Sequence, residues 1–68
     1  MADLLRVIGR RVSMMRREAS LSQEQLAEMA EVHPTYVSRI ERGVVNPSIL
    51  VLQRIAKAAG GSLRDLIP

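Results

Sequence analysis

The sequence predicts an all-α fold, a compact domain of five helices, and three observations carry that prediction. Apolar residues recur at three- and four-residue intervals, and no segment alternates with period two over more than a few positions. Tyr36 is the only aromatic residue, so the apolar share is Ala, Val, Ile, Leu and Met, the composition of an aliphatic helical bundle. Four breaker clusters, Ser20-Leu21-Ser22, Glu31-Val32-His33-Pro34, Gly43 to Pro47 and Gly60-Gly61, divide the chain into five helix-period pieces.

The first helix runs from Asp3 to about Glu18, with Leu5, Ile8, Val12 and Met15 on one arc and Arg6, Arg10, Ser13 and Arg17 on the other. Arg16, four residues after Val12, falls inside the apolar arc and requires a partner. Ser22 to Gln25 reads as a capping box, with acidic Glu24 suited to the positive helix end. The second helix then reaches about Ala30 and buries Leu26, Ala27 and Ala30. Three residues later Pro34 fits the first position of a new helix, where its missing N–H is no loss. The third helix, Pro34 to about Arg42, turns Val37 and Ile40 inward and places Thr35, Ser38, Arg39 and Arg42 together on the opposite face, with Tyr36 at the boundary. Glu41 follows Val37 by four residues, lies on the buried side, and is the natural partner of Arg16. Gly43 ends this helix. Ser48 caps a fourth whose inner stripe is Ile49, Leu52, Ile55, Ala56 and Ala59. After Gly60-Gly61, Ser62 starts a short fifth helix whose Leu63, Leu66 and Ile67 close the core.

Length and composition exclude much. Residues 1–68 read as one domain, and a chain this short buries only about 60% of its extended surface, so something must supplement the core. There are no cysteines and one His, which leaves close helix packing or a partner chain. No nucleophile with a base, paired catalytic carboxylate or Gly-rich phosphate loop stands at recognisable spacing, so the chain is read as no enzyme, with no cofactor, metal or small-molecule ligand. No run approaches the roughly 18 apolar residues of a membrane span, and the N-terminus turns basic too soon for a secretory leader. A cytoplasmic protein is expected. Ten basic residues, nine of them Arg, against seven acidic ones give a net charge of +3, which suits a polyanion.

Two helices joined at a tight corner form the unit in which the second helix is presented to the DNA major groove. Thr35, Ser38 and Arg39 are therefore the candidate base contacts, Arg being able to grip guanine O6 and N7 together. Gln23, at the amide-rich start of the second helix, is a candidate phosphate contact with Tyr36, Arg42 and Asn46. His33 lacks a second ligand at metal spacing and reads as a helix cap or a phosphate neighbour. Arg6, Arg10 and Arg17 read as a solvated face. Leu50 and Val51 lie off the inner stripe and Val44 lies in a loop. With Leu63, Leu66 and Ile67 they are the candidate dimer surface.

The stretches Ser22 to Ala27, Val32 to Gly43, Asn46-Pro47-Ser48 and Ile55 to Ala58 resemble the phage repressor and Cro (XRE-type) helix-turn-helix family, over a span from Ile8-Gly9 to Leu66. The run Ser38-Arg39-Ile40-Glu41-Arg42-Gly43 followed by Asn46-Pro47-Ser48 is the most specific part. The resemblance implies a five-helix fold of bacterial or phage origin, operator binding and a two-fold homodimer. It also implies a phosphate-gripping Gln23, base-reading positions at Thr35, Ser38 and Arg39, and an Arg16–Glu41 pair. Two departures stand out. Glu31 occupies a turn position where relatives often have Gly, and a left-handed residue there would cost about 1 kcal/mol. Pro34 removes a side chain that reads a base in some relatives, so readout leans on Arg39. The expected function is a transcriptional regulator that binds a palindromic operator with its third helix, about 34–42, in the major groove. The alternative is a protein-interaction module, an antitoxin or regulatory adaptor with DNA binding secondary, in which the helix 3 Arg and hydroxyl groups would be expected to disappear.

Overall fold

The computed structural model describes residues 2–68. Its α-helices are α1 (Ala2–Glu18), α2 (Gln23–Ala30), α3 (Pro34–Glu41) and α4 (Ile49–Ala58), and no strand occurs among the described residues. Each helix start follows from a local device. Ser22 Oγ accepts from the Gln25 N–H at 3.0 Å while Gln25 Oε1 accepts from the Ser22 N–H at 2.8 Å, a reciprocal cap. Pro34 opens α3, and Ser48 Oγ accepts from the Val51 N–H at 3.1 Å to open α4.

The expected fifth helix is a single 3-10 turn, Leu63–Asp65. Its main-chain bonds, Asp65 N–H to Ser62 and Leu66 N–H to Leu63, span three residues. Asp65 Oδ2 accepts from both the Ser62 N–H and the Ser62 hydroxyl. One tightly closed turn satisfies these groups, and Pro68, without an N–H to donate, does not continue a helix.

The four helix ends share one geometry. Ser20, Glu31, Gly43 and Gly60 have φ between 60° and 82°. In each case the next residue's N–H reaches back five positions: Leu21 to Arg16, Val32 to Ala27, Val44 to Arg39 and Gly61 to Ala56. This is the Schellman arrangement, which satisfies carbonyls that a helix end leaves open. Two corners use Gly at the left-handed position; the other two hold Ser20 and Glu31 there. At the α2–α3 corner Val32 packs on the core, and Arg54 of α4 donates to the Ala30 carbonyl at 3.1 Å. These contacts hold Glu31 left-handed without glycine.

One core is built from Ile8 and Val12 of α1, Leu26, Ala27 and Ala30 of α2, Val37 and Ile40 of α3, Leu52, Ile55 and Ala56 of α4, and Leu66. Three sequence expectations need correction. Leu66 is fully buried in this chain's own core, so it offers nothing to a dimer surface. Val51 and Leu63 are half-buried against the same core, because the 3-10 turn and the first turn of α4 fold back on it. Ile49, placed on the inner stripe, is 58% exposed. Buried Pro47 seals the entry to α4 in its stead, and the stripe begins one turn later at Leu52.

α1 lies against the end of α3 at backbone distance. Gly9 is buried, and a Cβ there would stand 2.6 Å from the Glu41 carbonyl oxygen and against that of Ile40. A Cβ on Gly43 would meet Arg6 Cγ at 2.9 Å. In an isolated helix Gly9→Ala would be favourable by about 1 kcal/mol. Here the methyl collides with backbone, so the substitution should destabilise the protein by about 1–3 kcal/mol, measured by urea unfolding. A stabilised variant would contradict the close crossing.

Candidate nucleic-acid interface

The most connected polar group is the Glu41 carboxylate. Arg16 of α1 donates Nε to Glu41 Oε2 at 2.6 Å and Nη2 to Oε1 at 3.0 Å, a two-pronged pair, while its Nη1 donates to the Leu21 carbonyl at 2.9 Å. Gln23 Nε2 donates to the same Oε1 at 3.1 Å. The Arg16 and Glu41 side chains are only 12% and 7% exposed. Burial alone would push the Glu41 carboxyl up, but the hydrogen bonds from Arg16 and Gln23 and the Arg16 charge outweigh it and hold it below the ordinary Glu value. The bond to Glu41 likewise raises Arg16 above its ordinary value. Four segments meet here: α1, the α1–α2 loop, α2 and α3. The helical wheel indicates the pair; the Gln23 bond and the Leu21 carbonyl have no signal in the sequence, because they depend on how α1 and α2 cross α3.

On α3, Thr35 and Arg39 are exposed and Ser38 is half-buried, at spacings that place them on one face. Arg42 is exposed at the helix end, its Nε 3.4 Å from the Ser38 carbonyl. Main-chain donors at the start of α3 are already used. Pro34 has none, the Thr35 N–H donates to His33 Nδ1 at 3.1 Å, and the Tyr36 and Val37 N–H groups donate to the His33 carbonyl. Whatever this face recognises is recognised by side chains.

The start of α2 differs. Main-chain N–H groups of Gln23 and Glu24 have no partner among the described residues, since Ser22 takes those of Gln25 and Leu26. Positively polarised, they stand beside the pinned Gln23 amide and suit an anion. Tyr36 is half-buried with its ring on the core, and Asn46 is exposed in the α3–α4 loop. Among the expected dimer residues, Val44 and Leu50 are 60% and 69% exposed and Ile67 is at the margin of exposure; Ile49 joins them.

A carboxyl held below its unfolded value adds stability above that value and loses it as acid protonates the folded form. Unfolding free energy should therefore fall as pH drops below the ordinary Glu range of about 4.3, and Glu41→Gln should make that part of the profile shallower. An identical acid slope in the variant would contradict the network.

The helix-turn-helix family matches residues 12–66. The control protein C.BamHI of Bacillus amyloliquefaciens is 39% identical over 62 residues, which is 90% of this chain and 76% of that protein. The restriction-modification controller protein C.AhdI from Aeromonas hydrophila has a similar structure, with a TM-score of 0.91 at 34% identity over 98% of this chain and 100% of that one. The biofilm regulator SinR, known from Bacillus subtilis and solved in complex with DNA, gives a TM-score of 0.82 at 38% identity over 87% of this chain and 95% of that one. With its fold, its α2–α3 corner and these similarities in agreement, the chain belongs to the XRE-type helix-turn-helix family.

Proposed function

We propose that this chain is a sequence-specific transcriptional regulator of a bacterial or phage cytoplasm, acting as one DNA-binding domain over residues 1–68 and holding a palindromic operator as a two-fold dimer with α3 in the major groove. The observation that carries this reading is the α3 face. Thr35, Ser38 and Arg39 point outward together on a helix whose own amides are spent, and the helix is fixed from behind by the Glu41 network. Arg39 is the guanine reader, with Thr35 and Ser38 supplying hydroxyls to neighbouring base edges. Gln23 holds a phosphate with its remaining amide hydrogen and the free N–H groups at the start of α2, and Tyr36, Arg42 and Asn46 grip the backbone on either side. Similarity to restriction-modification controllers and to a regulator solved on DNA agrees with this assignment.

One α3 covers few base pairs, too few to specify a site in a genome, and a symmetric pair doubles the contacts. Half-sites about 34 Å apart then follow from one turn of DNA. The joining surface is assigned to Val44, Ile49 and Leu50 at the α3–α4 junction with Ile67, since Leu66 is buried and Val51 and Leu63 are already engaged by the core.

Selection from random duplexes at low salt supplies the operator. On it, Arg39→Ala should relax preference at one base pair by about 1–3 kcal/mol, whereas Gln23→Ala should weaken all sequences alike. Equal losses on every sequence for both variants would make Arg39 a backbone contact, and no retained DNA would favour an adaptor module. Sedimentation of the protein with operator should show a dimer that Leu50→Glu disrupts. A monomer in the complex rejects the dimer, and a dimer indifferent to Leu50→Glu rejects its placement.

A further inference from the structure

His33 is the one histidine of the chain, it is exposed, and it caps α3. Its Nδ1 accepts the Thr35 N–H at 3.1 Å. A main-chain N–H can only donate, so Nδ1 carries no proton and the neutral ring must carry its proton on Nε2. That Nε2–H has no partner among the described residues. Histidine is an uncommon choice for this position: Ser or Asn would cap as well, and neither would add a donor on a rigid ring.

The start of α3 is also poor in other donors. Pro34 has no N–H, and the amides of Thr35, Tyr36 and Val37 are consumed by His33 itself. Recognition helices meet base edges with their N-terminal residues. Resting on the reading of α3 as the DNA-facing helix, we propose that His33 is a specificity-determining residue whose Nε2–H donates to an acceptor on a base edge, guanine O6 or N7, while Nδ1 caps α3. The cap thereby sets which nitrogen faces the DNA.

The test compares His33→Ser with the unaltered protein on the selected operator and on operators changed one base pair at a time. Serine keeps the Thr35 cap through its hydroxyl, so the thermal midpoint should stay near that of the unaltered protein, while His33→Ala loses cap and contact together. His33→Ser should bind the operator about tenfold more weakly, with the loss confined to one base pair, the discrimination carried by a base-edge bond. A loss spread evenly over all sequences, or no loss at all, would overturn the proposal. Arg39→Ala measured on the same duplexes separates the two levels: if it also shows no base preference, the reading of α3 fails, and if it behaves as expected, only the His33 contact fails.

Discussion

The position of α3 depends on one largely buried ion pair, Arg16 with Glu41, whose side chains are 12% and 7% exposed. Both side chains are almost wholly removed from water, and desolvating two charges costs several kcal/mol each unless geometry and hydrogen bonding compensate. Here compensation is extensive: Glu41 accepts from Arg16 twice and from Gln23 once, and Arg16 Nη1 donates to the Leu21 carbonyl. A buried pair adds less stability than an apolar pair of the same size, so its value lies elsewhere. It has only one satisfied arrangement, and that arrangement fixes how far α3 is rotated and advanced relative to α1 and α2. Gly9 is its precondition, because a side chain there would drive α1 off the Glu41 backbone.

The same pair joins stability to recognition. Gln23 shares the carboxylate oxygen that Arg16 holds, so the side chain proposed to grip a phosphate is oriented by the network that locates the proposed base readers. Arg16 also neutralises a carboxylate that would otherwise sit behind a face meant for a polyanion. At the opposite end of α3, the Schellman corner at Glu31 and the His33 cap determine where the helix begins. Fixed at both ends, α3 is presented with little conformational freedom left to lose on binding.

What was legible in the sequence was local. Ser22, Pro34 and Ser48 announce helix starts because caps act within four residues, and Arg16 and Glu41 betray each other because each breaks its own helix's apolar arc. What was illegible was tertiary. Gly9 reads as a weak spot in α1 until the α3 carbonyls across from it are known. Ser20 carries no glycine signal, yet it turns left-handed like Gly43 and Gly60, because the Leu21 N–H to Arg16 bond sets the corner. Ile49 obeys helical spacing and is exposed, since periodicity says which side of a helix a residue occupies and not where the neighbouring helix ends. Leu66 suits core and interface equally by its spacing, and its burial decides for the core. The fifth helix is a single 3-10 turn, because Asp65 closes it locally on Ser62, a tertiary-independent bond that periodicity does not register.

The central claim, that one charge pair sets the placement of α3, is tested most directly by a double-mutant cycle in urea unfolding with Arg16→Met and Glu41→Leu. Each single change strands a buried charge and should cost about 3 kcal/mol, while the double change restores an apolar contact and should cost far less than the sum. Additive losses would mean that the two side chains act independently and that α3 is placed by packing alone.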